Sequence, residues 1–123
     1  MDLKMVFRIA GVIAAINGLG LLFMGATFFA MANITPTPDL ITVGQFTGVT
    51  VLFLALLQWR IPDIAGDAFS SLGQLFAIGQ AMWFLIIGYH IMTGQAGGAT
   101  AYVNALLVAI LAVLFYMQSR KSE

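Results

Sequence analysis

The sequence predicts an all-α fold: a polytopic membrane protein whose four transmembrane helices form an up-down bundle with both termini in the cytoplasm. Three observations predict it. The chain of 123 residues is 61% hydrophobic and only 8% charged, whereas soluble domains are roughly 45–50% apolar and about 25% charged. A chain this short has too little interior to hide that much apolar surface from water. Four apolar runs each approach the roughly 20 residues that a bilayer core requires. Finally, Lys4, Arg8, Arg60, Arg120 and Lys121 all fall on the N-terminus, the second connection or the C-terminus. A four-span chain keeps those segments on one side, and the positive-inside rule makes that side the cytoplasm of an inner-membrane protein.

Residues 1–123 read as one transmembrane domain. The first span covers about 6–31. Its basic start, Lys4 and Arg8, is like that of a signal peptide, but the apolar stretch exceeds the usual 7–15 residue core, so it reads as a retained span. Residues 33–39 carry Pro36 and Pro38, which stop a helix and favour extended backbone before them. The second span covers about 40–59. Residues 60–67 form the charged connection, which sets Arg60 near Asp63 and Asp67. The third span covers about 71–92, residues 93–99 form a Gly-rich hairpin, and the fourth span covers about 101–117.

Lipid tails are as apolar as leucine, so the helices must associate through close approach at small residues. Gly11, Gly18 and Gly25 recur every seven residues on the first span. The second carries Gly44-x-x-x-Gly48, the third steps through Gly73, Ala77 and Ala81, and the fourth through Ala101, Ala105 and Ala109. A seven-residue repeat drifts little around a helix over three turns, which favours near-antiparallel packing. The Gly44/Gly48 seam serves either the chain itself or a second copy.

Polar residues inside spans are candidates for function, although helix–helix hydrogen bonds are their commoner use. Asn17, Gln45, Gln80 and Asn104 are the candidate polar lining. They do not form one polar layer in the sequence: at about 100° per residue, His90 lies about 80° around the third helix from Gln80. His90 is the sole histidine and the candidate ligand for a haem or chlorophyll metal, or a proton relay. An interfacial position in an aromatic belt is the plainer reading. Trp59 and Arg60 read as an interfacial anchor beside which a lipid headgroup or quinone ring could dock.

Absences exclude much. There is no basic excess for nucleic acid and no cysteine for disulfide or thiolate chemistry. The first span has no carboxylate of the kind that small multidrug exporters use. No Ser/His/Asp set, phosphate loop or metal cluster assembles, so the chain does not read as an enzyme. The implied partners are the lipid bilayer and other membrane subunits or a second copy. No metal or other cofactor is implied, and binding of a lipid, quinone or pigment stays open.

The layout is one of a long first helix, a Pro-containing loop and a Gly-rich second helix ending in Leu57-Gln58-Trp59-Arg60. Two further spans and the basic tail Arg120-Lys121 complete it. This resembles the small bacterial four-helix proteins grouped as DoxX-like. The resemblance implies a membrane-subunit role and transfers no functional residue. The leading expectation is therefore a non-catalytic accessory subunit or homo-oligomer. The alternatives are a small transporter or channel for a neutral or weakly polar solute, and a haem-, pigment- or quinone-binding module using His90.

Overall fold

A computed structural model describes residues 1–122, which are all-helical apart from short connections. The elements are α1 (Leu3–Phe23), α2 (Gly25–Met31), α3 (Pro38–Ile64), a 3₁₀ turn (Gly66–Ala68), α4 (Phe69–Met92) and α5 (Gly98–Lys121). Four of these segments, α1, α3, α5 and α4 together with its leading turn, are long and apolar enough to cross a bilayer. The chain is a multi-pass membrane protein.

The helix starts follow from local chemistry. Asp2 caps α1 by accepting the Met5 N–H at 2.9 Å, which satisfies one of the donors a helix start leaves free. Thr37 does the same for Leu40 at 3.2 Å, and Pro38 occupies the first turn of α3. A proline fits there because that position's N–H has no intrahelical partner. Pro38 thus begins a helix rather than merely ending one.

Two expectations about the spans are corrected. Residues 6–31 do not form one helix: Met24 leaves helical geometry at φ −131°, ψ 39°, which separates α1 from α2. Gly20 lies one turn before the break and Gly25 just after it, and glycine weakens a helix interior. The Phe28 ring folds back onto Gly20, where an added Cβ would lie 2.8 Å from the ring. The second span, in turn, continues beyond Trp59 to Ile64 with Pro62 inside it. A proline in a last turn removes one hydrogen bond, while the next, Ala65 N–H to the Ile61 carbonyl at 2.9 Å, is kept. Buried Ile61 and an ion pair through Asp63 hold that turn in place.

α1 packs chiefly against α3, and α4 against α5. Gly11 lies against the Ala55 carbonyl and Gly18 against Gly48 and Leu52, so α1 and α3 run antiparallel. A Cβ on Gly48 would lie 2.9 Å from the Gly18 carbonyl. The Gly44-x-x-x-Gly48 motif is used within the chain, Gly44 receiving the Phe29 ring of α2. Gly73 of α4 meets Ser119 of α5 and Leu3 of α1, so the start of α1 and the end of α5 lie together. The half of the bundle around this meeting point is the proximal half. Its core is Leu3, Val6, Phe7, Ala10, Ile61, Ala77, Leu111 and Phe115. Phe7 is fully buried and meets the rings of Phe69, Phe76 and Phe115 at centroid distances of 5.5, 5.2 and 4.8 Å.

The distal half is looser. Gly97 N–H donates to the Ala32 carbonyl at 2.8 Å and ties the last connection to the end of α2. Gly98, at φ +70°, sits where a Cβ would lie 2.5 Å from the Met31 carbonyl, so only glycine fits. The backbones of α3 and α4 do not pack closely against each other.

Candidate ligand cavity

The distal half holds a partly open cavity of about 320 Å³ to which every helix contributes. Asn17 and Leu21 come from α1, Phe28 and Phe29 from α2, Val51 from α3, Trp83, Ile86, Ile87 and His90 from α4, and Thr100, Ala101, Asn104 and Val108 from α5. The break at Met24 positions α2 so that Phe28 and Phe29 seat on Gly20 and Gly44 and form one wall. On α4, Gly73 and Ala77 admit close packing in the proximal half. Bulkier Trp83, Ile86 and Ile87 then line the space instead of closing it. The volume falls within the range of small-molecule sites, roughly 300–1,000 Å³.

The lining is apolar with a few polar groups. Asn17 Nδ2 donates to Asn104 Oδ1 at 3.1 Å, which bridges α1 and α5. That leaves Asn17 Oδ1 as an acceptor and Asn104 Nδ2 as a donor for a third partner. His90 packs edge-on to Tyr89 at a centroid distance of 5.3 Å, and its Nδ1 is buried with no hydrogen-bond partner. At about 1.5 Å per residue, His90 stands about 25 Å and Asn104 about 22 Å along their helices from the Gly73–Ser119 contact. The imidazole on α4 and the amide pair on α1 and α5 are thus at similar depth on different walls. The cavity lining carries no Asp, Glu, Lys or Arg, and no group of three metal-ligating side chains gathers among the described residues. A neutral, largely apolar molecule with one or two hydrogen-bonding groups matches this chemistry.

The four amides considered for a polar lining do not come together. Asn17 and Asn104 bond to each other, whereas Gln80 lines a separate, smaller cavity with Gln58. Gln45 stands apart from all three: it is exposed on α3 and lines an open groove beside the α1–α2 break. Thr47 and Thr50 are also exposed and return their hydroxyls to the carbonyls of Val43 and Phe46 at 3.0 and 3.2 Å. A threonine satisfied by its own helix needs no polar neighbour.

The anchor is rearranged too. Asp63 pairs with Arg8 at 2.9 Å, and the Arg8 guanidinium lies 4.4 Å from the Trp59 ring centroid. Arg60 is exposed and is not the partner of Asp63. The reason is helical geometry: the continued α3 turns Asp63 toward α1. Ala105 is half-buried on α5, and Gly25 is buried at the start of α2, next to Ile41.

Sequence reasoning missed Gln58, which is 4% exposed, by placing it at a helix end. A signal existed: Gly44, Gly48, Val51, Ala55 and Gln58 repeat at alternating spacings of four and three, which puts Gln58 on the packed stripe of α3. It also missed Ser119, fully buried, whose carbonyl accepts the Ser70 hydroxyl at 2.7 Å. No protein-family profile matches the chain, and neither does any curated protein or solved structure.

Proposed function

We propose that this is a non-enzymatic membrane protein that binds a small, neutral, largely apolar molecule in the distal cavity. The observation that carries the reading is the pairing of an apolar cavity with hydrogen-bonding groups left available, His90 Nδ1 above all. The wide spacing of the α3 and α4 backbones favours loading from the surrounding lipid rather than from water. The chain is an up-down bundle of the inner membrane with both termini cytoplasmic. Arg8 pairs with Asp63 at the proximal end, where Lys4, Arg60, Arg120 and Lys121 also belong, and a cationic end marks the cytoplasmic side.

Gentle purification followed by native mass spectrometry and an absorption spectrum tests it. The expected result is a species heavier than the 13.2 kDa chain, whose extra mass is lost in His90→Leu and Asn104→Leu. A bare chain from wild-type protein that keeps its fold would sink the reading. Colour in the bound species identifies a pigment or haem, and its absence directs identification to colourless lipophiles.

A second reading, the accessory subunit or homo-oligomer, is favoured by α4, on which residues 81–86 are exposed around more than a full turn. The chain has no cysteine, so Leu85→Cys supplies a single cross-linking site. Failure of that site to form any adduct in native membranes, while the protein inserts normally, excludes a partner on this face.

A further inference from the structure

Among the described residues, three buried side-chain polar atoms have no hydrogen-bond partner: Arg8 Nε, Gln58 Oε1 and His90 Nδ1. Arg8 retains an ion pair and a ring contact, and His90 belongs to the distal cavity. Gln58 differs from both. Its residue is 4% exposed, it lies on α3 beside Gly11, and it lines a chamber of about 90 Å³. Gln80 of α4 lines the same chamber, and no direct hydrogen bond joins the two amides. The remaining walls are apolar side chains, including Ala14, Leu54 and Leu111.

We propose that Gln58 and Gln80 build a hydrated site that takes water. A buried amide oxygen without a donor is disfavoured, and native structures meet that demand with a protein group or an ordered water. No protein group does so here, whereas the space is sufficient. Water occupies about 30 Å³ in the liquid, so a volume of about 90 Å³ holds about three molecules. The two primary amides together offer donors and acceptors enough for waters that need two to four polar partners each. An ion is excluded by chemistry, because the chamber carries no charge and an unpaired ion in such a place is far costlier than a neutral molecule. At about 1.5 Å per residue, Gln80 stands about 10 Å along α4 from Gly73, which puts the site within the span rather than at its end.

The chamber shares Val51, Trp83 and Val108 with the distal cavity. Trp83 is therefore part of the wall between a site for an apolar ligand and a site for water. The proposal does not rest on the distal ligand, because Gln58 and Gln80 belong to the smaller chamber alone.

Nuclear magnetic resonance on isotope-labelled protein in micelles tests it, by transfer of magnetisation from water to the side-chain amides. Wild type is expected to show water contacts at both Gln58 and Gln80. Ala14→Leu, which fills the chamber, abolishes both, and Gln58→Leu weakens the contact at Gln80. If Gln58→Leu does not insert, Gln80→Leu supplies the reciprocal comparison at Gln58. Assigned amide resonances that show no water contact in folded wild type overturn the proposal, as do contacts that persist unchanged in Ala14→Leu. Neither result depends on whether a lipophile co-purifies, so this test and that of the distal cavity fail separately.

Discussion

The proximal and distal halves of this bundle are built from the same residue types and reach opposite outcomes. In the proximal half, Phe7 fills the space between Phe69, Phe76 and Phe115, while Gly73 lets α4 close on Ser119 and Leu3. In the distal half, Phe28 and Phe29 are spent on Gly20 and Gly44, on the α1–α3 side, and residues 81–86 of α4 are all left exposed. Aromatic rings aimed at a common centre seal a bundle, and rings seated on neighbouring glycines leave the centre open. Lipid provides no hydrophobic penalty to collapse such a space, so a cavity survives there that water would have driven closed.

The sharpest way to break the comparison is at Phe7. Phe7→Ala is expected to cost about 3 kcal/mol in thermal or denaturant unfolding, the lower edge for buried aromatic truncation because the ring trades protein contacts for lipid ones. Truncating Phe28 should cost less, since that residue is only partly buried. An equal loss at the two sites would erase the distinction between the halves. Gly48→Val comes next, at about 2 kcal/mol, within the range for overpacking. Its Cβ meets the Gly18 backbone carbonyl at 2.9 Å, and backbone cannot swing aside.

Asn17→Leu removes one partner of the amide bridge and should cost about 1 kcal/mol, in line with interhelical hydrogen bonds measured in membranes. The double change Asn17→Leu and Asn104→Leu should recover most of that loss, because no polar group is then stranded. Failure to recover would mean that the amides hold the distal half together rather than line it. Asp63→Asn weakens an ion pair whose side chains are 20% and 48% exposed, and the expected loss is about 0.5 kcal/mol, smaller still at high salt. At the far end of the scale, Gly79→Ala should stabilise by about 0.5 kcal/mol through helix propensity, because nothing lies within 4 Å of the added methyl group.

Part of this was legible along the chain. The four spans could be read from composition and run length, and their packed glycines from spacing: Gly11, Gly18, Gly44, Gly48 and Gly73 are all buried. The break at Met24 was not legible, because no proline marks it and the competing seat for Phe28 lies on the preceding turn. The continuation of α3 past Pro62 was hidden for the opposite reason. A proline normally argues for an end, and here a remote partner, Arg8, holds the last turn. Of the cavity, the sequence displayed each polar member singly. Asn17, His90 and Asn104 lie on three helices, and no spacing within one helix could reveal that they line one space. Gln45 looked equivalent to them and faces outward.

By itself the sequence determined that the chain lives in a bilayer, because burial of apolar residues is a sum over composition and does not need a fold. It also determined how many segments are long and apolar enough to cross and which residues let helices touch, since both follow from the pattern along single helices. The tertiary structure alone decided which polar groups meet. Meeting requires the rotation and offset of neighbouring helices, which are set by how Phe7, Gly48 and Gly73 interlock. It decided in the same way that one half closes and the other stays hollow. A ring fills whatever space its own helix is turned toward, and only packed neighbours fix that turn.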